Sequence, residues 1–212
     1  MHMELKKNNK FTVNDLKQNL GNYIIPTDTK NGIAVDIGSN NGCFLNTYKE
    51  HFSKIDAYEA NYFLVQKLNE TFASIDHINI YNKAVSNDDN KILKLLAHKY
   101  SNDNGSSSIE KNIEHQDWDE FICEVQSISI ESILKKCNNS IDYMKIDCET
   151  SEYEFLMHKD LSNIKYLAIE LHCQLGINKY TELYNWICKT HTANQNLNFN
   201  FESHQEILFV KN

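Results

Sequence analysis

The sequence predicts an α/β fold built on a mostly parallel, doubly wound sheet. Short apolar segments of strand length alternate with segments of helical periodicity over most of the 212 residues. Such alternation is typical of a parallel sheet covered by helices on both faces. Near the C-terminus, two apolar segments follow each other with no helical pattern between them. They predict an antiparallel hairpin that closes the sheet.

The order of elements follows from apolar spacing and from the residues that bound each segment. A weak helical pattern covers residues 11–20, inside a polar N-terminal extension of residues 1–30, and residues 31–212 are expected to form a single domain. Strands are predicted at residues 32–38, 54–58, 78–81, 91–96, 124–130, 141–146 and 166–171. Helices are predicted at residues 43–52, 62–72, 130–137, 151–158 and 180–189. The hairpin is predicted to pair residues 199–201 with residues 207–210.

Three segments carry the clearest local signals. Residues 33–37 form a short apolar run bounded by glycines, which is typical of a buried strand. Ser129 stands just before a helical pattern, where its hydroxyl is expected to cap the helix. Residues 99–119 are polar and predict a long loop, and loops of this length are usually functional or mobile.

The composition excludes several classes of protein. Lys and Arg total 21 against 29 Asp and Glu, which gives a net charge of −8. A nucleic-acid-binding protein usually carries a basic patch or run, and none is visible, so we expect no nucleic-acid partner. There are only six glycines but 28 asparagines. Because Asn is the residue that best tolerates a positive φ after Gly, we expect asparagines at several turns.

The cysteines and the apolar segments suggest a reducing compartment. None of the six cysteines forms a C-x-x-C pair, so a structural zinc site is not expected, and most are predicted to be small buried apolar residues. We find neither a secretory signal pattern nor an apolar run of membrane-spanning length. We therefore expect a cytoplasmic protein with no membrane partner.

The first candidate site is the turn Asp36-Ile-Gly38-Ser39-Asn40-Asn-Gly42, between a predicted strand and a predicted helix. Ligands of α/β sheets bind beyond the carboxyl ends of the strands, where this turn lies. Gly38 is expected to allow a sharp turn and a close approach to a ligand. We expect Asn40 to adopt a left-handed conformation, and Gly42 to permit close packing of the helix.

The second candidate residue is Glu59, which ends the next strand 21 residues after Gly38. A carboxylate at this spacing can bind both hydroxyls of an adenosine ribose, which occurs in nicotinamide dinucleotides and in S-adenosylmethionine. Asn40 stands where a dinucleotide loop has its middle glycine. Asp36 would repel a pyrophosphate but suits a cationic amino group, so the pattern favours S-adenosylmethionine. A nicotinamide-dependent oxidoreductase is the alternative.

A second group of ionisable residues ends the strands further along the chain. Lys145, Asp147 and Glu149 alternate at the end of one predicted strand, and Glu170 and His172 end the following one. In a doubly wound sheet these ends meet over the same cleft, which makes the group a candidate site. Two purely structural roles are also compatible with the pattern: an ion pair of Lys145 with one of the carboxylates, and a surface position for His172. The remaining eight histidines are predicted to lie on the surface.

Taken in order, these motifs resemble the FkbM-type methyltransferases, which use S-adenosylmethionine. The resemblance covers about residues 31–210. It rests on the following segments: Asp36 to Gly42, Tyr58-Glu59-Ala60-Asn61, Asn82-Lys-Ala84-Val-Ser86, the serines at 106–108, Ile141 to Glu149, Glu152 and Glu170-Leu-His172. It implies a Rossmann-like class I methyltransferase fold.

The resemblance also implies methyl transfer to a hydroxyl oxygen, of a sugar or glycan or of another small molecule. Two further functions are compatible with the same residues, namely methyl transfer to protein or RNA and non-catalytic binding of the cofactor. The expected cofactor-binding residues are Asp36, Gly38, Ser39, Asn40, Gly42, Glu59, Ala60, Asn82, Ala84 and Ser86. Ser106, Ser107 and Ser108 are expected to contact the acceptor.

For the chemistry, either His172 or Asp147 is expected to act as the base. Lys145, Glu149 and Glu170 are then expected to orient the acceptor. Alternatively, Asp147, Glu170 and His172 share a divalent metal that lowers the pKa of a hydroxyl. No feature of the sequence indicates which oligomeric state the protein adopts.

One position departs from the family pattern. Thr150 stands where the pattern has a glycine directly after Glu149. A β-branched residue disfavours a positive φ, so the sequence predicts either a reshaped turn or a glycine that matters for packing only.

Overall fold

A computed structural model describes residues 16–18, 23–98, 107–109, 118–194 and 205–212 of the chain. The strands are β1 (Leu16–Gln18), β2 (Ile24–Pro26), β3 (Ile33–Ile37), β4 (Lys54–Glu59), β5 (Ile78–Asn82), β6 (Ala84–Ser86), β7 (Ile92–His98), β8 (Ser107–Ile109), β9 (Trp118–Ser129), β10 (Ile141–Ile146), β11 (Ile164–Leu171), β12 (His191–Ala193) and β13 (Gln205–Lys211). The helices are α1 (Cys43–Tyr48), α2 (Tyr62–Phe72), α3 (Ile130–Lys136), α4 (Glu152–Leu156) and α5 (Gly176–Ile187).

The main sheet confirms the predicted α/β fold. Within the described ranges it has seven strands in the order β12-β13-β11-β10-β3-β4-β5. The strands from β11 to β5 pair in parallel, and β13 runs antiparallel to both of its neighbours. The chain moves from β3 outward to β5 on one side and from β10 outward on the other. The carboxyl ends of β3 and β10 therefore form the switch point at which such sheets bind ligands.

Apolar side chains alternate between two core layers, one on each face of this sheet. Val35 and Met144 belong to the layer that is covered by α3, α4 and α5. Their neighbours Ala34 and Tyr143 belong to the layer that is covered by α1 and α2. All four side chains are 0% exposed. Because each fully buried large side chain contributes roughly 1.5–3 kcal/mol, the central strands of the sheet form a rigid base for the site.

The C-terminal hairpin is present, but its first strand is not the predicted one. Strand β13 pairs with β12 in the hairpin and with β11 on its other edge. Residues 199–201, which were predicted to pair with 207–210, lie outside the described residues. The short segment His191–Ala193 has too little apolar alternation to be recognised as a strand from the sequence.

Residues 23–29 pack against the face of the sheet that carries α1. Tyr143 donates its hydroxyl to the carbonyl of Ile24 at 3.2 Å, and Tyr48 donates to the carbonyl of Tyr23 at 3.0 Å. The helical pattern predicted for residues 11–20 is wrong at Leu16–Gln18, which form β1 and pair with β2. Pairing with another strand thus overrides a weak local periodicity.

A second sheet of four strands, in the order β6-β9-β7-β8, borders the carboxyl end of β4. It has a small core of its own, formed by Ala84, Leu93, Leu95, Ile109 and Val125. The loop predicted for residues 99–119 is wrong at both places that the structure describes. Residues 107–109 form β8, and β9 begins at residue 118.

The helices follow the predictions closely where local signals are strong. Helix α2 has the predicted bounds, and the Ser129 hydroxyl accepts a hydrogen bond from the Ser132 amide at 3.2 Å, which confirms the predicted cap of α3. Helix α4 is shorter than predicted, and α5 begins at Gly176 rather than at Tyr180.

Two predictions about burial are wrong. His191 is 1% exposed, and its Nε2 lies 2.9 Å from the carbonyl oxygen of Ile164. The expectation that most of the cysteines are buried is also wrong, since Cys137 alone is buried among the five that the structure describes and Cys43, at the start of α1, is exposed. Single residues in short connecting segments carry too little context for burial to be predicted from sequence.

Candidate active site

A cleft lies beyond the carboxyl ends of β3, β4 and β10, against the second sheet. Its lining includes nine residues that the sequence predicted: Gly38, Asn40, Glu59, Ala60, Ala84, Ser107, Ser108, Asp147 and Glu149. Eight residues that sequence reasoning gave no role line it as well: Ile37, Tyr58, Lys83, Val85, Leu95, Ile109, Cys148 and Ser151. Most of these come from the second sheet or from strand interiors, where no local pattern indicates a site.

The turn after β3 has the predicted backbone conformation. Gly38 has a φ of 76° and Asn40 a φ of 48°. A β-carbon on Gly38 would lie 1.8 Å from the carbonyl oxygen of Asp147, so no other residue fits at this position. A β-carbon on Gly42 would lie 2.7 Å from Leu68, which confirms that this glycine allows α1 and α2 to pack closely.

Glu59 ties the two loops at the cleft together. Its carboxylate accepts hydrogen bonds from the amides of Asn40 and Asn61, at 2.7 and 2.8 Å. The carboxylate is almost completely buried, and burial raises the pKa of Glu59 despite these two hydrogen bonds. Each carboxylate oxygen has a second lone pair, so the group can accept two further hydrogen bonds from a ligand in the cleft.

Asp36 and Lys145 form a buried ion pair beneath the turn. The Lys145 Nζ lies 3.2 Å from Asp36 Oδ1, 2.5 Å from the Gly38 carbonyl oxygen and 3.8 Å from Asp147 Oδ2. Burial favours the neutral amine, but Asp36 and Asp147 outweigh it and raise the pKa of Lys145. Neither Asp36 nor Lys145 is among the residues that line the cleft. Their contacts support the turn from below.

His172 lies at the centre of an acidic cluster at the ends of β10 and β11. Its Nδ1 is 3.1 Å from Glu152 Oε1, and its Nε2 is 3.3 Å from Glu149 Oε2 and 3.9 Å from Asp147 Oδ1. Burial favours the neutral ring, but Glu152 and Glu149 outweigh it and hold the pKa of His172 well above its usual value. The side chain is 2% exposed, so the surface position considered for His172 is wrong.

Glu170 completes this cluster. One ligand atom each from Asp147, Glu170 and His172 lie within 4.8 Å of one another, so the three residues predicted to share a metal are close together. Burial and the charge of Asp147 raise the pKa of Glu170 to about 7.

Sequence reasoning gave no role to two further carboxylates of the cluster. Glu152 is completely buried, and its Oε1 accepts a hydrogen bond from the Cys148 amide at 2.9 Å. Its place in the resembled motif was visible in the sequence. Glu206, on β13, lies directly opposite Glu170 in the strand register, and its charge raises the pKa of that residue further. No local pattern in the apolar β13 indicates this role.

The turn after β10 has a left-handed backbone conformation at Thr150, the position where the family pattern has a glycine. Glu149 has a φ of 48° and Thr150 a φ of 81°, so the turn keeps a left-handed conformation without a glycine. The Ser108 hydroxyl donates a hydrogen bond to the Glu149 carbonyl at 2.8 Å, which ties the second sheet to this turn.

The remaining predicted residues lie around the cleft rather than on its wall. The Asn82 amide donates to the carbonyls of Glu59 and Ala60, and the Ser39 hydroxyl donates to the Asp36 carbonyl. The Ser86 hydroxyl donates to the carbonyl of Asp88, on the rim of the second sheet. Ser106 lies outside the described residues.

Residues 36–207 match a family model described as the methyltransferase FkbM domain. The chain belongs to the FkbM methyltransferase family. The matched region of this FkbM protein includes the turn at Gly38, Glu59 and the cluster around His172. No curated protein sequence matches the chain.

The chain is also similar to solved structures. The chain is similar to the crystal structure of the methyltransferase FkbM from Methylobacillus flagellatus KT, with a TM-score of 0.50 and 14% identity; the match covers 83% of this chain and 42% of that one. This FkbM protein therefore spans less than half the length of that structure. An rRNA methylase from Streptococcus thermophilus is similar at a TM-score of 0.47 and 11% identity, over 87% of this chain and 90% of that one. The likeness to the FkbM structure shows a class I methyltransferase fold. No helix among the described residues of this FkbM protein is both long and apolar enough to cross a membrane.

Proposed function

We propose that this FkbM protein transfers a methyl group from S-adenosylmethionine to a hydroxyl oxygen of a small molecule, and specifically of a sugar or glycan. The observation that carries the proposal is Glu59, whose buried carboxylate faces a cleft at the switch point of the sheet. The Gly38 turn lies on one side of this carboxylate and the acidic cluster lies beyond the turn.

The residues of the cleft fit S-adenosylmethionine. Glu59 would accept the two ribose hydroxyls with its remaining lone pairs. Ala60, Leu95 and Ile109 provide an apolar wall of the kind that an adenine ring requires. Asp147 and Glu149 line the cleft and would supply negative charge for the sulfonium and ammonium groups of the cofactor.

The same charges disfavour a dinucleotide. Asp147, Glu149 and Glu59 all line the cleft, and Lys83 is the one Lys or Arg among its described lining residues. A pyrophosphate would be repelled by these carboxylates. Asp36, which was expected to bind the amino group of the cofactor, instead pairs with Lys145. We therefore assign the amino group to the Asp147 side of the cleft.

When bound, S-adenosylmethionine supplies an electrophilic methyl group, whose bond to sulfur breaks as its bond to the acceptor oxygen forms. The protein must align the acceptor and accept one proton from its hydroxyl. Asp147 lines the cleft and is 28% exposed at its side chain, whereas His172 is 2% exposed and does not line it. We assign proton acceptance to the Asp147 carboxylate and a positioning role to His172. A positioned base contributes typically about 10²–10⁴-fold to the rate.

A neutral, hydroxylated acceptor fits this cleft better than a nucleic acid. The phosphates of RNA would approach a wall of carboxylates on a chain of net charge −8. Ser107 and the backbone around Glu149 supply hydrogen-bonding groups of the kind that bind sugar hydroxyls.

A transfer assay with methyl-labelled cofactor tests the proposed activity. Free sugars and glycans with unprotected hydroxyls form one panel, and RNA and protein substrates form the other. We expect label in a sugar product, and loss of transfer by about 10²-fold or more in Asp147→Asn. Glu154→Gln, which removes an exposed carboxylate on α4, serves as the control with unchanged transfer. Label found in the RNA or protein panel alone would contradict the assigned acceptor.

A further inference from the structure

We propose that Asp147, Glu170 and His172 bind one divalent cation at the edge of the cleft. The site is defined by the Nε2 of His172 and by one carboxylate oxygen from each of the other two residues. The binding itself is independent of the cofactor. Its role in catalysis rests on the proposed function, because the cation would hold the acceptor hydroxyl.

The three ligand atoms lie close enough to share an ion after small side-chain movements. They lie within 4.8 Å of one another, and Asp147 Oδ1 is 3.9 Å from His172 Nε2. An ion about 2.0–2.2 Å from each donor atom holds pairs of donors roughly 3–4 Å apart. All three side chains stand at the ends of the rigid neighbouring strands β10 and β11, which pair in parallel.

Glu152 orients the imidazole for ligation. Its Oε1 lies 3.1 Å from His172 Nδ1 and is fixed by the Cys148 amide. A metal-ligating histidine usually directs its second ring nitrogen to a carboxylate in this way, which leaves the other nitrogen aimed at the ion. Here that other nitrogen, Nε2, faces Asp147 and Glu149.

The balance of charge also favours a cation. His172 is surrounded by carboxylates from four elements or turns, namely Asp147, Glu149, Glu152, Glu170 and, beyond Glu170, Glu206. Glu170 and Glu206 stand directly opposite each other on adjacent strands, a pairing of like charges that destabilises a sheet. A proton on the His172 ring adds one positive charge to this group of carboxylates. A divalent ion would add two positive charges and so offset more of their mutual repulsion.

The donor set indicates which ion to use as a probe. Two carboxylates and one imidazole combine the ligands preferred by Mg²⁺ and Mn²⁺ with the ligand preferred by the later transition metals. Mn²⁺ accepts both kinds of donor, and its free aqua ion is directly measurable by electron paramagnetic resonance.

The position of the site gives the ion a part in catalysis. Asp147 and Glu149 belong to the lining of the cleft, so an ion on Asp147 would be open to the acceptor. A bound divalent ion lowers the pKa of a hydroxyl that coordinates it. Asp147 Oδ2 faces Lys145 and not His172, so one oxygen can ligate the ion while the other accepts the proton.

Titration of the full chain with Mn²⁺, followed by electron paramagnetic resonance, tests the site. We expect one bound Mn²⁺ per chain, and affinity at least about tenfold weaker in Asp147→Asn, Glu170→Gln and Glu152→Gln. Glu154→Gln is the matched control and should bind as the wild type does. Circular dichroism of each variant separates lost binding from lost folding.

Two outcomes overturn the inference. One is the absence of Mn²⁺ binding by the wild type at millimolar concentration, which would leave His172 as a cation held by Glu149 and Glu152. The other is binding that the three variants do not weaken. Calorimetry with S-adenosylmethionine on the same samples distinguishes the two proposals: cofactor binding without Mn²⁺ binding contradicts only the metal site, and the reverse contradicts the proposed function.

Discussion

The main-chain carbonyl oxygen of Asp147 occupies the position where Gly38 would otherwise carry a side chain. A β-carbon on Gly38 would lie 1.8 Å from that oxygen. The end of β10 and the turn after β3 are therefore in direct backbone contact. This contact places the carboxylate of Asp147 beside the turn that is proposed to hold the cofactor.

The contact predicts a large effect of Gly38→Ala. Alanine at a φ of 76° costs about 1–2 kcal/mol, and the collision with the Asp147 backbone adds about 1–3 kcal/mol or more. Gly176→Ala is the matched control, since Gly176 has a φ of 74° but no atom within 4 Å of its β-carbon position. Chemical denaturation measures both losses. Equal losses of unfolding free energy in the two variants would show that the backbone contact does not matter.

We expect the replacement of Thr150 by glycine to stabilise the protein. The φ of 81° at Thr150 costs a β-branched residue about 1–2 kcal/mol of stability. Glycine adopts a positive φ without strain and so removes this cost. Part of the gain is lost again, because glycine increases the conformational entropy of the unfolded chain. We expect Thr150→Gly to raise the free energy of unfolding by up to about 1 kcal/mol. Thr150→Ala, which keeps a β-carbon, should give a smaller gain. A lower free energy of unfolding for Thr150→Gly would mean that contacts of the threonine side chain outweigh the strain.

The buried pair of Lys145 and Asp36 predicts strong coupling between the two residues. Lys145→Met leaves the Asp36 carboxylate buried without its cation, which typically costs about 3–5 kcal/mol. Adding Asp36→Asn to that variant should restore part of the loss, because the unpaired charge is gone. Lys91→Met, at an exposed pair with Asp88, should cost no more than about 1 kcal/mol. Additive losses in the double variant of Lys145 and Asp36 would refute the coupling.

His191 predicts a loss of stability in acid. Burial lowers the pKa of its ring. The hydrogen bond to the Ile164 carbonyl raises this pKa in part, and the charge of Lys211 lowers it further. The unfolded chain binds the proton more readily, so the stabilisation from neutral His191 is present above a pH of about 6.5 and falls as the pH drops below it. His172 has a raised pKa and acts with the opposite sign. The test is therefore the difference in unfolding free energy between wild type and His191→Gln: the wild type should lose stability relative to the variant as the pH falls from 8 to 5. Parallel pH profiles of the two proteins would contradict the prediction.

Local patterns predicted the part of the site that local geometry forms. The turn at Gly38 and Asn40 and the carboxylate of Glu59 are set by a few neighbouring residues, and the structure places all three on the wall of one cleft. Helix α2 and the cap at Ser129 were predicted for the same reason.

The parts that were missed depend on pairings between distant segments. Strand β8 is short and polar, and it exists because it pairs with β7. Glu206 joins the acidic cluster only because β13 pairs with β11 in a register that places it opposite Glu170. Asp36 was expected to meet a ligand, and its pairing with Lys145 follows from the adjacency of β3 and β10. Sequence spacing contains none of these registers.

Calorimetric titration with S-adenosylmethionine, on the wild type and on Glu59→Gln, tests the central claim most directly. We predict one binding site per chain and an affinity at least about tenfold weaker in Glu59→Gln, since a lost charged hydrogen bond costs about 1.5–3 kcal/mol. Glu70→Gln, an exposed position on α2, should bind as the wild type does. No heat of binding with the wild type, or equal affinity in wild type and Glu59→Gln, would contradict the account.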